Sequence, residues 1–435
     1  MKMIYFILLQ LFLFVNCNHP HYQPEQIHIA YGETPLEILI TWSTFTPTPN
    51  SVVEYGVLDL TESAKGSAKR FVDGGHEARV QYIHRVRLTN LRPRSRYMYH
   101  CGSDYGWSEM FWFWTVSNES DWIPRLAIYG DMGNINARSL PILQEEIQRN
   151  MYDAVIHVGD MAYDMNDNNG RVGDEFMRQL QPIASYVPYM VCPGNHEEAY
   201  NFSHFRERFS MPGQSENLYY SFNLGPIHFV SLNTEAYYFV KYGMKLLVKQ
   251  YEWLVNDLKE ANLPENRNKR PWIIAYGHKP MYCSDNVVDD CKNKNNRVRT
   301  GLPISKWFGL EDLLYENNVD VAFWGHLHSY ERLYPLYNYT VRKGPKKNPY
   351  HNPEAPIHII TGSAGCQENT VNFTQVPPPW SAFRSSDYGF TILDVFNTSH
   401  LHLQQISVEK GKDRSVIDDI WIVKEKHNFH QNYNN

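Results

Sequence analysis

The chain has 435 residues, of which 43% are hydrophobic and 20% are charged, and its formal net charge is −6. This length predicts two or three domains, each with a sizeable core. The negative charge gives a nucleic-acid partner no electrostatic support, so we expect none. The short basic stretch 342–347 is interpreted as a solvated loop.

The N-terminal segment is the first predicted element. Residues 1–18 combine the positive charge of Lys2, an apolar core over residues 4–15 and a plausible cleavage position near Cys17, which is the pattern of a secretory signal peptide. The apolar run is too short to span a bilayer, and no later segment is long and apolar enough. We therefore expect no membrane span and a secreted, extracellular or lysosomal protein.

Glycosylation sequons suit this location. Five N-x-S/T sequons begin at Asn118, Asn201, Asn338, Asn372 and Asn397.

Residues 19–118 are predicted to form a β-sandwich, because short strands alternate with turn-rich segments and helical periodicity is almost absent. The expected strands are Ile38–Trp42, Ser51–Tyr55, Tyr82–Leu88, Tyr97–His100 and Glu109–Val116. Leu91–Tyr97 resembles the tyrosine corner of fibronectin type III domains, and Trp42 resembles their core tryptophan. We interpret this domain as a structural unit packed on the rest of the chain, with a binding module as the alternative.

Residues 119–425 change to alternating strands and helices, which is typical of a parallel or mixed sheet covered by helices. The expected helices are Ser139–Asn150, Val248–Ala261 and Ser305–Asn317. A hairpin of Tyr219–Leu224 and Ile227–Leu232 is expected, as is a strand over Ile357–Ile360. Tyr388–Val395 and Leu401–Val408 are expected to close a second sheet. The polar tail 426–435 is predicted to be disordered.

Five apolar runs in this region read as buried strands that end in glycine followed by Asp, Asn or His. The runs and their endings are Leu126–Tyr129 before Gly130-Asp131, Ala154–Val158 before Gly159-Asp160, Tyr189–Cys192 before Pro193-Gly194-Asn195, Trp272–Tyr276 before Gly277-His278, and Val319–Trp324 before Gly325-His326. Ligands collect beyond the carboxyl ends of such strands, and glycine permits a sharp turn there. One such ending is ordinarily a turn, but five together predict a metal centre.

These blocks resemble those of the purple acid phosphatases, a branch of the calcineurin-like metallophosphoesterases. The family patterns GDxG, GDxxY, GNH(E/D), a lone histidine and GHxHxYER are matched, in that order, by Gly130–Gly133, Gly159–Tyr163, Gly194–Glu197, His278 and Gly325–Arg332. The resemblance implies an N-terminal fibronectin type III-like β-sandwich followed by a four-layer α/β metallophosphoesterase sandwich.

The same resemblance implies two metal ions and their ligands. A ferric ion would be held by Asp131, Asp160, Tyr163 and His328, and a divalent iron, zinc or manganese ion by Asp160, Asn195, His278 and His326. The donor chemistry agrees, since a phenol with a pKa near 10 needs a strong Lewis acid to ionise at acid pH. Gly133 and Tyr163 stand where the wider superfamily usually carries histidine and aspartate.

His196 is the candidate catalytic residue outside the ligand set. The resemblance implies that it contacts the phosphate or the leaving oxygen, and the alternative is that it orients a ligand through a hydrogen bond. Plant relatives carry a further histidine after the lone metal histidine, but residues 279–286 contain none, so the general acid is left unassigned. Glu331 and Arg332 are expected to form a buried ion pair that steadies His328.

Five cysteines remain if Cys17 leaves with the signal peptide. Cys283 and Cys291 lie in a polar loop and are predicted to form a disulfide in an oxidising compartment. Cys192, in a buried strand, is predicted to be a free thiol. The pairing of Cys101 and Cys366 is left open, and the lack of CxxC pairs argues against a zinc ribbon.

The resemblance implies a secreted acid phosphatase that hydrolyses small phosphate monoesters by attack of a metal-bound hydroxide. One alternative is a phosphodiesterase or nucleotide pyrophosphatase on the same scaffold. The other is a binding protein with a structural metal site, which the complete ligand set argues against. A homodimer is left open.

Overall fold

A computed structural model describes residues 21–119, 122–344, 347–410 and 413–425. The predicted signal peptide and the polar tail lie outside these residues, as does part of the basic stretch 342–347. Within the described ranges, no helix combines the length and the apolar character needed to cross a membrane.

The N-terminal domain is a sandwich of two antiparallel sheets, with strand orders β1-β2-β6-β5 and β4-β3-β7-β8, and β9 also pairs with β7. Its strands are β1 (Glu25–Tyr31), β2 (Ile38–Thr44), β3 (Val52–Gly56), β4 (Glu62–Lys65), β5 (Ser67–Val72), β6 (Val80–Leu88), β7 (Arg96–Ser103), β8 (Gly106–Trp107) and β9 (Phe111–Trp114). Trp42 is buried and stacks on His84. The Tyr97 hydroxyl accepts a hydrogen bond from the Arg92 amide at 3.0 Å, as a tyrosine corner requires.

The rest of the chain forms two mixed sheets that pack face to face between helices. The first sheet has the order β12-β11-β10-β22-β23-β24 and the second β13-β14-β15-β16-β20-β17-β21. Their strands are β10 (Arg125–Tyr129), β11 (Ala154–Val158), β12 (Tyr189–Cys192), β13 (Tyr220–Leu224), β14 (Ile227–Ser231), β15 (Trp272–Gly277), β16 (Val321–Trp324), β17 (Tyr330–Leu333), β20 (Ile357–Thr361), β21 (Ser381–Ser385), β22 (Gly389–Val395), β23 (His400–Lys410) and β24 (Asp413–Val423). A separate small hairpin pairs β18 (Leu336–Tyr337) with β19 (Thr340–Val341).

Strand alternation explains the layers. Along β15, Trp272, Ile274 and Tyr276 join the core shared with the first sheet, whereas Ile273 and Ala275 join the core beneath the helices on the other face. Successive side chains of a strand point to opposite faces, so a run that is apolar throughout must be covered on both. The result is the expected four-layer sandwich.

The helices only partly follow the sequence pattern. They are α1 (Leu140–Gln148), α2 (Asp167–Ala184), α3 (Ala199–Arg208), α4 (Lys245–Ala261), α5 (Pro264–Arg267), α6 (Arg297–Thr300) and α7 (Leu310–Glu316). Helices α1, α4 and α7 were expected, with α7 shorter than predicted. Helices α2 and α3 were missed, because each begins with left-handed residues, 168–170 and 200–202, that the sequence marks as turn.

The five apolar runs are strands, but they do not share one sheet. Strands β10, β11 and β12 belong to the first sheet, and β15 and β16 to the second. The expectation for residues 388–395 and 401–408 was wrong in its placement, since β22 and β23 extend the first sheet beside β10. Pairing partners far apart in sequence are not encoded in the local pattern.

The sandwich contacts α2 and α3 through buried polar groups. Asp174 of α2 lies 2.7 Å from Arg79 of the sandwich and 2.9 Å from Arg208 of α3. Asp73 of the sandwich pairs with His204 at 2.8 Å. Helix α2 begins at Asp167, shortly after Tyr163. The N-terminal domain therefore contacts a helix that starts close to the candidate site.

Candidate metal centre

The side chains predicted as metal ligands come together in one cleft between the two sheets. Asp131 follows β10, Asp160 and Tyr163 follow β11, and Asn195 follows β12. From the second sheet, His278 follows β15, and His326 and His328 follow β16.

On one side of the cleft, Tyr163 lies among an acid and a histidine. Its hydroxyl oxygen is 2.7 Å from Nε2 of His328 and 3.3 Å from Oδ1 of Asp131. Nε2 of His328 is 3.5 Å from the same carboxylate oxygen. All three side chains are buried. A phenol, a carboxylate and an imidazole that converge in this way form a hard, anionic donor set when the phenol is ionised.

On the other side, Asp160, His278 and His326 each offer a ligand atom within 4.8 Å of the others. Nδ1 of His278 lies 2.8 Å from the Val158 carbonyl and donates to it, so Nε2 carries the lone pair when the ring is neutral. That Nε2 lies 3.0 Å from Oδ2 of Asp160, but without hydrogen-bond geometry.

Two buried polar atoms in this cleft lack a hydrogen-bond partner among the described residues, namely Oδ1 of Asn195 and Nε2 of His278. An unpaired buried polar atom costs about 1–3 kcal/mol, so native structures rarely leave one unsatisfied. A metal ion would satisfy both atoms at once. The residues therefore fit the binuclear centre that the sequence implies.

The backbone at four of the predicted ligands is strained. Asp131, Asp160, Tyr163 and His326 have φ values of 59°, 48°, 57° and 70°, in the left-handed region that non-glycine residues rarely adopt. Such residues typically cost about 1–3 kcal/mol each and cluster at functional sites. Here the turns at the strand ends aim four donor side chains into one cleft.

Glycines allow the close approach of these turns. A Cβ on Gly194 would lie 2.2 Å from Oδ1 of Asp160, and one on Gly159 would lie 2.5 Å from Nδ1 of His278. Gly133 has a φ of 68° and faces Cys366, whose Cα would lie 2.9 Å from an added Cβ. A histidine at position 133 would therefore collide with the backbone, and Tyr163 supplies a donor in this part of the cleft.

Glu197 organises two of the ligand turns, and the sequence pattern had given it no role. Its buried carboxylate accepts hydrogen bonds from the amides of Asp160, Met161 and Gly194 at 3.0, 3.0 and 2.8 Å. Burial and the charge of Asp160 raise the pKa of Glu197 to about 7, while these amide donors oppose the rise. The carboxylate thus fixes Asp160 and Asn195 relative to each other.

The electrostatics of the cleft require a strong cation before the phenol can ionise. Burial, followed by the charges of Asp131 and Asp160, raises the pKa of Tyr163 well above its ordinary value. Burial also disfavours ionised Asp160, but His278 outweighs it and lowers the pKa of that carboxyl. Without ions in the cleft, Asp160 is therefore charged and Tyr163 is neutral.

His196 lies at the mouth of the cleft. Its ring packs 4.4 Å from that of Tyr163, and its Nδ1 lies 3.1 Å from Oδ1 of Asp164. Nε2 is 3.9 Å from Oδ2 of Asp160, so among the described residues the ring makes no hydrogen bond to a predicted ligand. Burial lowers the pKa of His196, but Asp164 and Asp160 outweigh it and raise it to about 9.

Three further side chains near the second half of the site were not found from the sequence. Lys279 places Nζ 2.7 Å from Nε2 of His326, and Asp289 places Oδ2 2.8 Å from the same nitrogen. Glu235 is fully buried, and burial raises its pKa to about 7 against the charge of Lys279. Only the position of Lys279, next to His278, could have suggested it, because the other two depend on how distant loops fold.

The expected ion pair at Glu331 and Arg332 is wrong. Glu331 accepts hydrogen bonds from the amide of Ser284 at 2.9 Å and from the hydroxyl of Ser381 at 2.5 Å. Arg332 instead binds Asp418 through Nε at 2.6 Å and Nη2 at 2.8 Å. Both residues lie in β17, where neighbouring side chains point to opposite faces, so they cannot pair with each other.

The structure joins Cys283 and Cys291 in a disulfide with Cα atoms 5.5 Å apart. Cys101, Cys192 and Cys366 are buried and unpaired within the described ranges, as expected for Cys192. Of the sequon asparagines, four are exposed and Asn201 is half-buried in α3. The exposed ones are Asn118, Asn338, Asn372 and Asn397.

Comparison with protein families gives matches along most of the chain. Residues 124–330 match the family described as calcineurin-like phosphoesterase. Residues 24–115 match the purple acid phosphatase N-terminal domain, and residues 355–419 match the iron/zinc purple acid phosphatase-like protein C.

Similar proteins and structures agree with these matches. Acid phosphatase type 7 of Danio rerio is 53% identical over 412 residues, covering 93% of this chain and 92% of that protein. The Homo sapiens protein of that name is 49% identical over 408 residues, with coverage of 93% and 92%. The structure of a purple acid phosphatase from yellow lupin (Lupinus luteus) seeds has a TM-score of 0.76 at 26% identity, and the match covers 94% of this chain and 76% of that one.

Proposed function

This chain belongs to the purple acid phosphatases, and from that membership we propose that it hydrolyses phosphate monoesters at a centre of one ferric and one divalent ion. It is an acid phosphatase of the calcineurin-like type. The observation that supports a ferric ion is the position of Tyr163. Its hydroxyl lies between His328 and Asp131 in a buried cleft. A phenol in that position is a ligand suited to trivalent iron.

The proposed ligand sets follow the two halves of the cleft. Asp131, Tyr163 and His328 would hold the ferric ion, and Asn195, His278 and His326 would hold a divalent iron, zinc or manganese ion. Asp160 would bridge the two ions, because it lies 3.0 Å from His278 on one side and its charge raises the pKa of Tyr163 on the other. The two unpartnered polar atoms, Asn195 Oδ1 and His278 Nε2, support the divalent assignment.

When bound, the ions would supply Lewis-acid chemistry, which neutralises phosphate charge and acidifies water enough for it to act as the nucleophile. The chain's own residues hold and surround the substrate. His196 lies at the mouth, where Asp164 and Asp160 outweigh burial and raise its pKa when no ion is bound. We propose that its Nε2 donates a proton to the leaving oxygen. Asp164 holds the opposite ring nitrogen at 3.1 Å and orients the ring.

Lys279 is a second candidate for substrate contact. Its ammonium lies at the edge of the His326 ring, 2.7 Å from Nε2 and 3.3 Å from Nδ1, and 5.2 Å from the centre of the Tyr238 ring. A cation held there would bind an oxygen of a dianionic phosphate monoester more strongly than that of a monoanionic diester. This favours small monoesters over bis-esters as substrates.

We also propose that the chain is secreted and glycosylated. The exposed positions of four sequon asparagines and the Cys283–Cys291 disulfide support an oxidising, extracellular or lysosomal location.

The test combines metal analysis of the purified protein with a phosphate-release panel across pH. We expect about one iron and one divalent ion per chain and release of phosphate from monoesters, with an acidic maximum because ferric iron lowers the pKa of water further than zinc does. Preferential cleavage of bis-esters would favour the phosphodiesterase alternative. A maximum above neutrality, or full activity in an all-divalent protein, would contradict the ferric assignment.

A further inference from the structure

We propose that Asp289 is a positioning residue, which holds the His326 ring in the tautomer that leaves Nδ1 free for the divalent ion. The disulfide-closed loop from Cys283 to Cys291 delivers this carboxylate to the site. The proposal rests on the proposed function, because it assumes that His326 is a ligand of that ion.

The contact between Asp289 and His326 is short and largely buried. Oδ2 of Asp289 lies 2.8 Å from Nε2 of His326, and the two side chains are 19% and 16% exposed. The other oxygen, Oδ1, accepts a hydrogen bond from the amide of Cys291 at 2.9 Å. Both carboxylate oxygens are therefore engaged, and the orientation of the group is fixed.

A neutral imidazole carries its proton on one nitrogen only. When Nε2 of His326 donates to Asp289, Nδ1 carries the lone pair that a metal ion needs. The opposite tautomer would point the lone pair of Nε2 at a carboxylate oxygen, which is repulsive. Lys279 lies 2.7 Å from Nε2 and 3.3 Å from Nδ1. Nε2 cannot accept from Lys279 while it donates to Asp289, and an ion bound at Nδ1 would take the other lone pair, which leaves the ammonium available to an anion.

The three histidines of the centre share this arrangement. Nδ1 of His278 lies 2.8 Å from the Val158 carbonyl, and Nδ1 of His328 lies 2.8 Å from the Asn369 carbonyl. Within the described residues, His326 is the only one of the three whose second ring nitrogen contacts a side-chain carboxylate instead of a backbone carbonyl. A histidine whose second nitrogen binds an oxygen acceptor is a more basic and better oriented metal ligand.

The loop that carries Asp289 is fastened at several points. The Cys283–Cys291 disulfide closes it, and both cysteines are buried. The neighbouring Asp290 accepts hydrogen bonds through Oδ2 from the amide of Arg297 at 2.9 Å and from the hydroxyl of Tyr238 at 2.8 Å. The affinity for the divalent ion should therefore depend on a loop that contributes no ligand itself.

The test measures metal binding by the full chain in Asp289→Ala, with Val288→Ala as the matched control. Val288 is the adjacent residue and is fully exposed. We expect Asp289→Ala to bind the divalent ion about 10–100-fold more weakly, as is usual when the partner of a ligand histidine is removed. Iron content and the visible absorption should be unchanged, and Val288→Ala should bind both ions like the wild type.

Two further variants keep the proposal open to refutation if Asp289→Ala does not fold. Asp289→Asn can both accept from and donate to Nε2, so it should weaken divalent binding to a smaller extent. The Cys283→Ser/Cys291→Ser double variant releases the loop, so it should also weaken binding of the divalent ion. Wild-type divalent affinity in the folded Asp289 variants would overturn the proposal. A wild-type chain that binds no iron or no divalent ion would instead overturn the proposed function.

Discussion

In the proposed centre, Tyr163 constrains the choice of metal ion more than any other single residue. Its phenol is buried next to two carboxylates, which raises its pKa and keeps it protonated in the absence of ions. Only a strong Lewis acid offsets both burial and these charges. Under the proposed assignment, Tyr163 therefore links the identity of one ion to the visible absorption of the protein.

The first prediction is a colour test. The oxidised, iron-loaded wild type should show a broad visible absorption from phenolate-to-iron charge transfer, and Tyr163→Phe should lack it because no phenolate remains. The measurement is an absorption spectrum, recorded beside iron analysis so that both proteins carry equal metal. Equal bands in the two proteins would show that Tyr163 is not the coloured ligand.

The second prediction ranks two residues of the cleft. Asp160 lies 3.0 Å from His278 and is the proposed bridge between the ions, whereas the His196 ring makes no hydrogen bond to either proposed ligand set. We expect His196→Ala to lower kcat/KM for a phosphate monoester by about 10–100-fold, and Asp160→Asn to lower it at least about tenfold further because metal binding itself is lost. A less active His196 variant with both metals retained would reverse this ranking.

The third prediction concerns Lys279. Removing a cation that binds a phosphate oxygen costs about 1.5–3 kcal/mol, so Lys279→Met should raise KM for a monoester about 10–100-fold with a smaller change in kcat. Lys279→Arg should restore part of the loss. The measurement is steady-state kinetics. Lys259→Met serves as the control, because Lys259 is an exposed lysine of α4. An unchanged KM would remove Lys279 from the substrate site.

At the scale of secondary-structure elements, the sequence predicted where the buried strands end but not which strands pair with each other. The apolar runs before Asp131, Asp160 and His278 are strands of nearly the predicted length, because buried strands have a local signature. The assignment of strands to the two sheets was not predictable because it depends on pairing between distant segments. Helices α2 and α3 were missed because each begins with left-handed residues. The contacts of Asp289 and Lys279 with His326 were not predicted for a related reason, because they depend on a loop that folds back over the site.

Strand β17 supplies the fourth prediction. Arg332 on β17 and Asp418 on β24 connect the two sheets through a buried, bidentate ion pair. Among the described residues, Arg332→Met leaves Asp418 with only the Tyr330 hydroxyl as a partner, at 2.8 Å. Because an uncompensated buried charge is left behind, we expect a loss of about 3–5 kcal/mol in the free energy of unfolding.

Denaturant unfolding measures this loss, and an exposed ion pair provides the control. Arg149 pairs with Glu145 on α1 while both side chains remain more than half exposed. Arg149→Met should change stability by about 0.5 kcal/mol or less. If the two arginine variants were equally stable, the Arg332–Asp418 pair would not contribute to holding the sheets together.

At the scale of the whole molecule, buried histidines set the response to acid. Burial lowers the pKa of His28 and His84 to about 4, and that of His157 and His358 to about 3. The unfolded chain binds protons at these positions from about pH 6.5 downward, whereas the folded chain does not. Each group therefore contributes stability that is complete above pH 6.5 and is lost as the pH falls through the folded-state pKa.

The fifth prediction tests this with His84, which lies on β6 of the N-terminal sandwich and is not among the predicted ligands. In His84→Gln, stability should fall less steeply between pH 6.5 and 4, by about 1.4 kcal/mol per pH unit. The measurement is denaturant unfolding across that range. His76→Gln serves as the control, because the His76 side chain is exposed in the folded state. Parallel pH profiles for His84→Gln and the wild type would contradict the prediction.

The division of the proposed ligands between the two sheets has a consequence for when the protein can bind its metal ions during folding. The first sheet carries both aspartates, the tyrosine and the asparagine, and the second carries all three histidines, so neither sheet alone completes the set for either ion. Under this assignment, both ions can be taken up only after the two sheets have docked. Metal loading is then a late step in maturation, and the colour of the protein reports that its folding is complete.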